Sequence, residues 1–159
     1  MLTKIKVIMG PNSKHKLLSK IKQSLDQKIA SSLLVVESIK ESKNNDTKSS
    51  AGDKFETGRA MAQQELDKQV KALQRLLKMK EMLLQIKMDK EYRKVEFGSL
   101  VYTNHGNYLM AIAYGQVQLA EEAFYVISLI SPLAQAMLGK RTGEDFQFQD
   151  KEYSIQAIY

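Results

Sequence analysis

Between Glu41 and Gly52 the chain reads Glu-Ser-Lys-Asn-Asn-Asp-Thr-Lys-Ser-Ser-Ala-Gly, a dozen positions without one large apolar side chain. Such a stretch has nothing to bury, so it is a loop or a frayed helix end. On both sides of it apolar residues return at helical spacing. Before it, Leu18, Ile21, Leu25, Ile29, Val36 and Ile39 predict a helix from about 13 to 41, roughly 40 Å long. Asn12 or Ser13 is its expected cap, after the turn residues Met9-Gly10-Pro11-Asn12. Leu33, Leu34 and Val35 are expected to broaden the apolar face near the far end. After the polar run, Leu66, Val70, Leu73, Leu77 and Leu84 step by four, three, four and seven, keeping one seam toward a partner helix. Leu76, Met79, Leu83 and Ile86 add a second stripe. Two helices of similar length joined by a polar loop predict an antiparallel helical hairpin.

From Val95 the period changes. Val95–Thr103 and Tyr108–Tyr114 read as strands around a turn at Asn104–Asn107. Gly115–Glu122 reads as a connection, and Ala123–Ser128 as a third strand. Ser131-Pro132 followed by Gly139 supplies a cap, a proline at the first helical position and a terminator, which together define a short helix. Two last strands, Asp145-Phe-Gln-Phe-Gln and Tyr153–Tyr159, flank a turn at Asp150-Lys151. The predicted class is α+β. Residues 1–94 form a coiled-coil hairpin with an acidic tip near 44–58, and residues 95–159 a small antiparallel sheet domain with one short helix.

Charge is divided unevenly along this plan. Residues 1–94 hold 21 Lys and Arg against 11 Asp and Glu, a net of +10, whereas residues 95–159 hold 3 against 7, a net of −4. A basic first half fits a polyanionic partner, nucleic acid being the commonest, or a solvated helical surface rich in lysine. Lys20, Lys22, Lys28, Lys68, Lys71, Arg75 and Lys78 fall under the second reading. No cysteine is present, which excludes disulfides and thiolate metal sites. The opening residues are too short and too interrupted by lysine for a signal peptide, and no long apolar run follows, so a cytoplasmic protein is expected.

The chemistry is expected at Gly52-Asp53-Lys54-Phe55-Glu56. Asp53 and Glu56 stand three apart. That is the spacing of a capping box, and equally the spacing that sends two carboxylates outward from one helix face. Mg²⁺ typically takes one or two protein carboxylates and completes its shell with water or phosphate oxygens. Two carboxylates alone are too few to trap it, but they could help hold an ion bound in another protein's site. Lys48, Lys54 and Arg59 lie nearby in sequence, able to meet a phosphate backbone or to balance charge. His15 and His105 have no partner at metal-ligand spacing, Gly139 and Gly143 follow no strand that would make a phosphate loop, and no serine belongs to a local hydrolase motif. A self-contained enzyme is not expected.

With these residues in hand, the chain resembles the bacterial Gre transcript cleavage factors, of the Gre-A and Gre-B type. Gly52-Asp53-Lys54-Phe55-Glu56 is similar to that family's Gly-Asp-x-x-Glu tip, and Ser131-Pro-Leu-Ala-Gln-Ala-Met-Leu-Gly-Lys140 with the strands to Tyr159 is similar to its C-terminal signature. Phe97-Gly98-Ser99 and Val101 fit as well. Lys54 and Phe55 stand where the family usually has Leu-Ser, and Thr57-Gly58-Arg59 where it has Asn-Ala-Glu. The resemblance implies an FKBP-like C-terminal domain that docks on bacterial RNA polymerase and a coiled coil that enters its secondary channel. Asp53 and Glu56 would then help position the second catalytic Mg²⁺ of the polymerase, so that it cuts the RNA 3′ end of a backtracked complex. Lys48, Lys54, Phe55 and Arg59 would contact nucleic acid or polymerase. On this reading the protein is a monomeric elongation factor that binds no cofactor alone. Two alternatives stand beside it: a relative that occupies the channel as a regulator or inhibitor without promoting cleavage, and an adaptor coiled coil whose basic face holds an acidic protein or nucleic acid, bare DNA included.

Overall fold

A computed structural model describes residues 10–46 and 52–159, with side chains over 10–45 and 56–159. Two long helices come first, α1 (Pro11–Asp46) and α2 (Gly52–Leu84). They are followed by β1 (Leu100–Thr103), β2 (Gly106–Ala111), β3 (Gly115–Leu119), β4 (Glu122–Ser128), α3 (Pro132–Met137), β5 (Asp145–Phe148) and β6 (Lys151–Ile158). The class is α+β, as expected. The chain divides into two compact units: residues 23–81, and the described residues up to 22 together with 82–159.

Helix α1 starts earlier and ends later than its apolar pattern. Pro11 takes the first helical position, where its fixed φ fits and its missing N–H has no role, and the Ser13 N–H bonds back to the Gly10 carbonyl at 3.1 Å. Neither Asn12 nor Ser13 is therefore the cap. At the other end the helix continues through Glu41, Ser42, Lys43 and Asn44 to Asp46, so the first half of the polar run is helical. Residues 47–51, Lys48 among them, lie outside the described residues.

In the unit of residues 23–81, Ile29, Val36 and Leu73 are buried, with Leu66, Val70 and Leu76 packed against them. Lys80 Nζ sits 2.6 Å from Asp26 Oδ1, and Lys43 Nζ donates to Gln63 Oε1. Moving 17 residues up α1, from 26 to 43, moves the partner 17 residues down α2, from 80 to 63. The helices thus run in opposite senses over this stretch. The seam is not the expected one throughout: Leu77 is 47% exposed and Leu76 replaces it. A helix of 3.6 residues per turn drifts away from a heptad repeat, and the next apolar residue on the inner side is then three positions on rather than four. Leu33, Leu34 and Val35 do not broaden the seam either; all three are exposed.

The other unit holds a six-stranded sheet in the order β3-β4-β2-β1-β6-β5. It is mixed rather than antiparallel, because β4 pairs with β2 in parallel, Asn107 opposite Phe124 through Ala111 opposite Ser128. The cause is strand β3, which occupies the stretch expected to be a connection. The chain leaves β2, forms the sheet edge, turns at Ala120-Glu121 and returns as β4 between β3 and β2. Of the β3 side chains, Val117 alone is buried, so its sequence carries little strand signal. The strand read from Val95 begins at Leu100 instead. Val95 is tied to the end of α3, its N–H on Lys140 O and its carbonyl on Gly139 N–H, both at 2.8 Å, and Gly98 turns with φ +88°. The last hairpin turns at Gln149-Asp150, one residue earlier than expected.

Short helix α3 follows its sequence closely. Ser131 Oγ accepts the Ala134 N–H at 3.3 Å, Pro132 opens the helix and Gly139 leaves it with φ +79°. Ala134 and Met137 then bury against Val101, Tyr108, Met110, Phe146, Tyr153 and Ile155. Within this unit the start of α1 lies over the sheet. Lys14 Nζ donates to Tyr159 O at the end of β6 and Lys20 Nζ to Gln118 O on β3, with Leu17 and Ile21 sealed from solvent. Among the described residues no helix is long and apolar enough to cross a membrane.

Candidate functional site

The helical backbone of α2 begins at Gly52, so position 53 lies in the first turn rather than at the cap. An acidic residue there is also what the exposed N–H groups of a helix N-terminus favour, whatever its function. Lys54 and Phe55 share that first turn, and the side chains of 53–55 lie outside the described residues. Glu56, one turn on from position 53, is exposed, as is Arg59.

Glu56, Arg59, Ala60 and Gln63 recur at steps of three, one and three, the spacing of one helix face. With Lys43 of α1 they line one open depression in the unit of residues 23–81. A chain of hydrogen bonds fixes its floor. Lys43 donates to Gln63, and Gln63 Nε2 donates to Asp67 Oδ1 at 2.8 Å, one turn further along α2. The ammonium of Lys43 thereby stands over the helix face that carries Glu56, and the guanidinium of Arg59 lines the same hollow.

Of the six sequence-derived candidates, the described side chains are therefore Glu56 and Arg59, and the structure brings them into one depression. The pair Lys43 and Gln63 was not expected. It could have been found by sliding α1 against α2 in opposite senses and reading the polar residues that flank the seam. Among the described residues no group of three or more His, Cys, Asp or Glu could hold a metal ion. His105 is a turn residue, its ring edge-on to Tyr153 at 4.8 Å and its Nε2 2.9 Å from Glu152 O. Further along α2, Lys68, Lys71 and Arg75 line a second hollow together with Asp67.

A buried cation in the sheet unit was missed as well. Lys14 is only 3% exposed, its ammonium 3.9 Å from the centroid of the Tyr92 ring. Burial, and then the nearby Lys90, lowers its pKa to about 8. The signal was present in the sequence, since Lys14 stands seven residues before Ile21 on the stripe that continues through Leu17, Leu25 and Ile29.

Fold and site together define an α+β protein with two long antiparallel-running helices, a mixed six-stranded sheet and an exposed carboxylate flanked by cations near the start of α2. A solved structure described as that of the transcription factor Gfh1 is similar over 87% of this chain and 92% of its own, at 18% identity and a TM-score of 0.33. At that TM-score the likeness carries no argument about fold or function. No protein-family profile matches the chain, and no curated protein matches it.

Proposed function

We propose that this protein is a Gre-type transcription elongation factor of the bacterial cytoplasm, acting as a monomer on RNA polymerase. Helices α1 and α2 form the coiled-coil hairpin that enters the secondary channel, and the sheet unit is the FKBP-like domain that docks on the enzyme's surface. The protein is not itself a nuclease. The polymerase's second Mg²⁺ supplies the polarised phosphate and the activated water of a two-metal site. Asp53 and Glu56 would donate carboxylate oxygens to that ion's incomplete shell, and Lys54, Phe55, Arg59 and Lys48 would contact the RNA 3′ end or the channel wall.

The observation that carries this reading is the position of Glu56. It is exposed, lies in α2 one turn from position 53, and stands close in sequence to the point where the chain passes from α1 to α2. A carboxylate there is free to approach a metal held by another protein, whereas a buried or seam-facing one could not.

A second reading, a channel-binding regulator that leaves the transcript uncut, is favoured by the cations around that carboxylate. Lys43 and Arg59 line the same depression, and a carboxylate leaning on either has fewer lone pairs to offer. One assay separates the two. The purified protein is added with Mg²⁺ to stalled, backtracked polymerase complexes carrying end-labelled RNA. Shortening of the RNA, with none when polymerase is omitted, is the result expected. Slower elongation with an intact transcript would establish the regulator instead.

A further inference from the structure

Between Val36, buried in the helix seam, and the end of α1 at Asp46, Ile39 is the one large apolar residue, and it is half-buried. On α2 the stretch from Glu56 to Glu65 offers Met61 alone, which is 66% exposed. The apolar packing of the helix pair therefore thins out before it reaches Glu56, and polar side chains take over. Lys43 of α1 donates to Gln63 Oε1 of α2, and Gln63 Nε2 donates to Asp67 Oδ1 at 2.8 Å. The chemistry of these three groups allows one arrangement. An ammonium only donates and a carboxylate only accepts, so an amide between them must turn its oxygen to the lysine and its nitrogen to the aspartate. Asp67, one turn on from Gln63, thereby presets the amide to receive Lys43.

The same tie reaches the carboxylate. Gln63 stands seven residues after Glu56. Seven residues fall about 20° short of two full turns, so the two side chains leave α2 in nearly the same direction, about 10 Å apart along its axis. Whatever fixes the rotation of α2 against α1 at Gln63 also fixes the direction in which Glu56 points. The thinned seam does this poorly, whereas a hydrogen bond from a charged donor on the other helix does it well. We propose that Lys43 is a positioning residue: through Gln63 it holds the face of α2 that carries Glu56 in the direction from which that carboxylate reaches the partner's metal. This role rests on the elongation-factor reading of the site, and in it Lys43 itself touches neither RNA nor metal.

The test uses the whole protein, with amide exchange read in the free state and cleavage read on backtracked polymerase complexes with Mg²⁺. Lys43→Met removes the donor and keeps most of the side chain's length. It is expected to speed exchange at amides 59–63 about fivefold, the scale of one lost hydrogen bond. Maximal RNA cleavage at saturating protein is expected to fall by a similar factor, with the half-saturating concentration unchanged. Lys43→Arg keeps a donor and is expected to retain both properties. Lys43→Met with Gln63→Leu replaces the polar tie by an apolar one and is expected to restore both, which a direct contact of Lys43 with RNA would not permit. Unchanged exchange in Lys43→Met, or cleavage that fails to follow exchange across the three variants, would overturn the positioning role. If the unaltered protein leaves RNA uncut while exchange responds as described, the failure belongs to the elongation-factor reading and not to the Lys43 tie.

Discussion

In the sheet unit the four consecutive side chains of β1, Leu100 to Thr103, are all buried. Among the described residues between Gln23 and Glu81, by contrast, the buried apolar side chains are Leu25, Ile29, Val36 and Leu73. Strand β1 is covered on both faces and laddered to β2 on one side and β6 on the other, so each of its positions answers to many neighbours. The helix pair is held along a narrow stripe, and most of its circumference faces water. The comparison teaches where change is tolerated. A surface meant to meet another molecule can alter along the helices at small cost, while the same freedom in the sheet would cost the fold.

The widest test of that contrast is deletion of one core side chain from each unit. Tyr102 is fully buried, with Phe124 and Tyr159 edge-on at 6.2 and 5.8 Å. Tyr102→Ala is expected to remove about 3–5 kcal/mol, seen as lost hydrogen-exchange protection throughout β1, β2 and β6. Leu73→Ala, at 9% exposure on a thinner seam, is expected to lose about 2 kcal/mol, confined to amides of residues 23–81. Equal losses, or loss spread over both units in each case, would erase the distinction.

A pH titration sharpens it further, because the resolved shifts all belong to the sheet unit. Lys14 is lowered to about 8 from 10.5 by burial and then by Lys90, so between those values the unfolded chain binds more protons than the folded one. Stability therefore rises with pH across that window, by up to about 2 kcal/mol between pH 8 and 10. Tyr108 acts the other way. Burial, with Tyr153 beside it, pushes it up to about 12, so above about pH 10 the folded state keeps a proton that the unfolded state releases, and stability falls. Urea midpoints measured from about pH 7 to 11 should pass through a maximum near 10. Lys14→Met should abolish the rising limb and leave the falling one.

The smallest expected effect lies in the helix pair. Gly58 sits inside α2, and a Cβ built on it meets nothing within 4 Å. Gly58→Ala should stabilise α2 by about 1 kcal/mol, read from exchange of its amides. A null or negative result would mean that this stretch of α2 is held by something other than its own helical backbone.

How much of this was legible in the sequence depended on how local the signal was. Helix α3 was readable because serine, proline and glycine each act within a few residues. Strand β3 was not, because an edge strand with Val117 as its one buried residue looks like a polar connection, and with it went the parallel pairing of β2 and β4. Long α1 was readable in kind but not in extent, since its last turn, Lys43 to Asp46, carries no apolar residue to mark it and its Lys43 instead donates to Gln63 of α2. At the candidate site, the spacing of Asp53 and Glu56 was legible, but nothing local separated a helix-start acid from a metal-directed one. Lys43 and Gln63 required the register between two helices, which no single stretch of chain encodes.

The central claim is that the carboxylates at the start of α2 act on another protein's metal. It is tested most directly by the double variant Asp53→Asn with Glu56→Gln, assayed on backtracked polymerase in competition with the unaltered protein. The account predicts that the variant displaces its parent, so that it still occupies the channel, while RNA cleavage falls to the level of polymerase alone. Cleavage at the parent's rate with binding unchanged would contradict it.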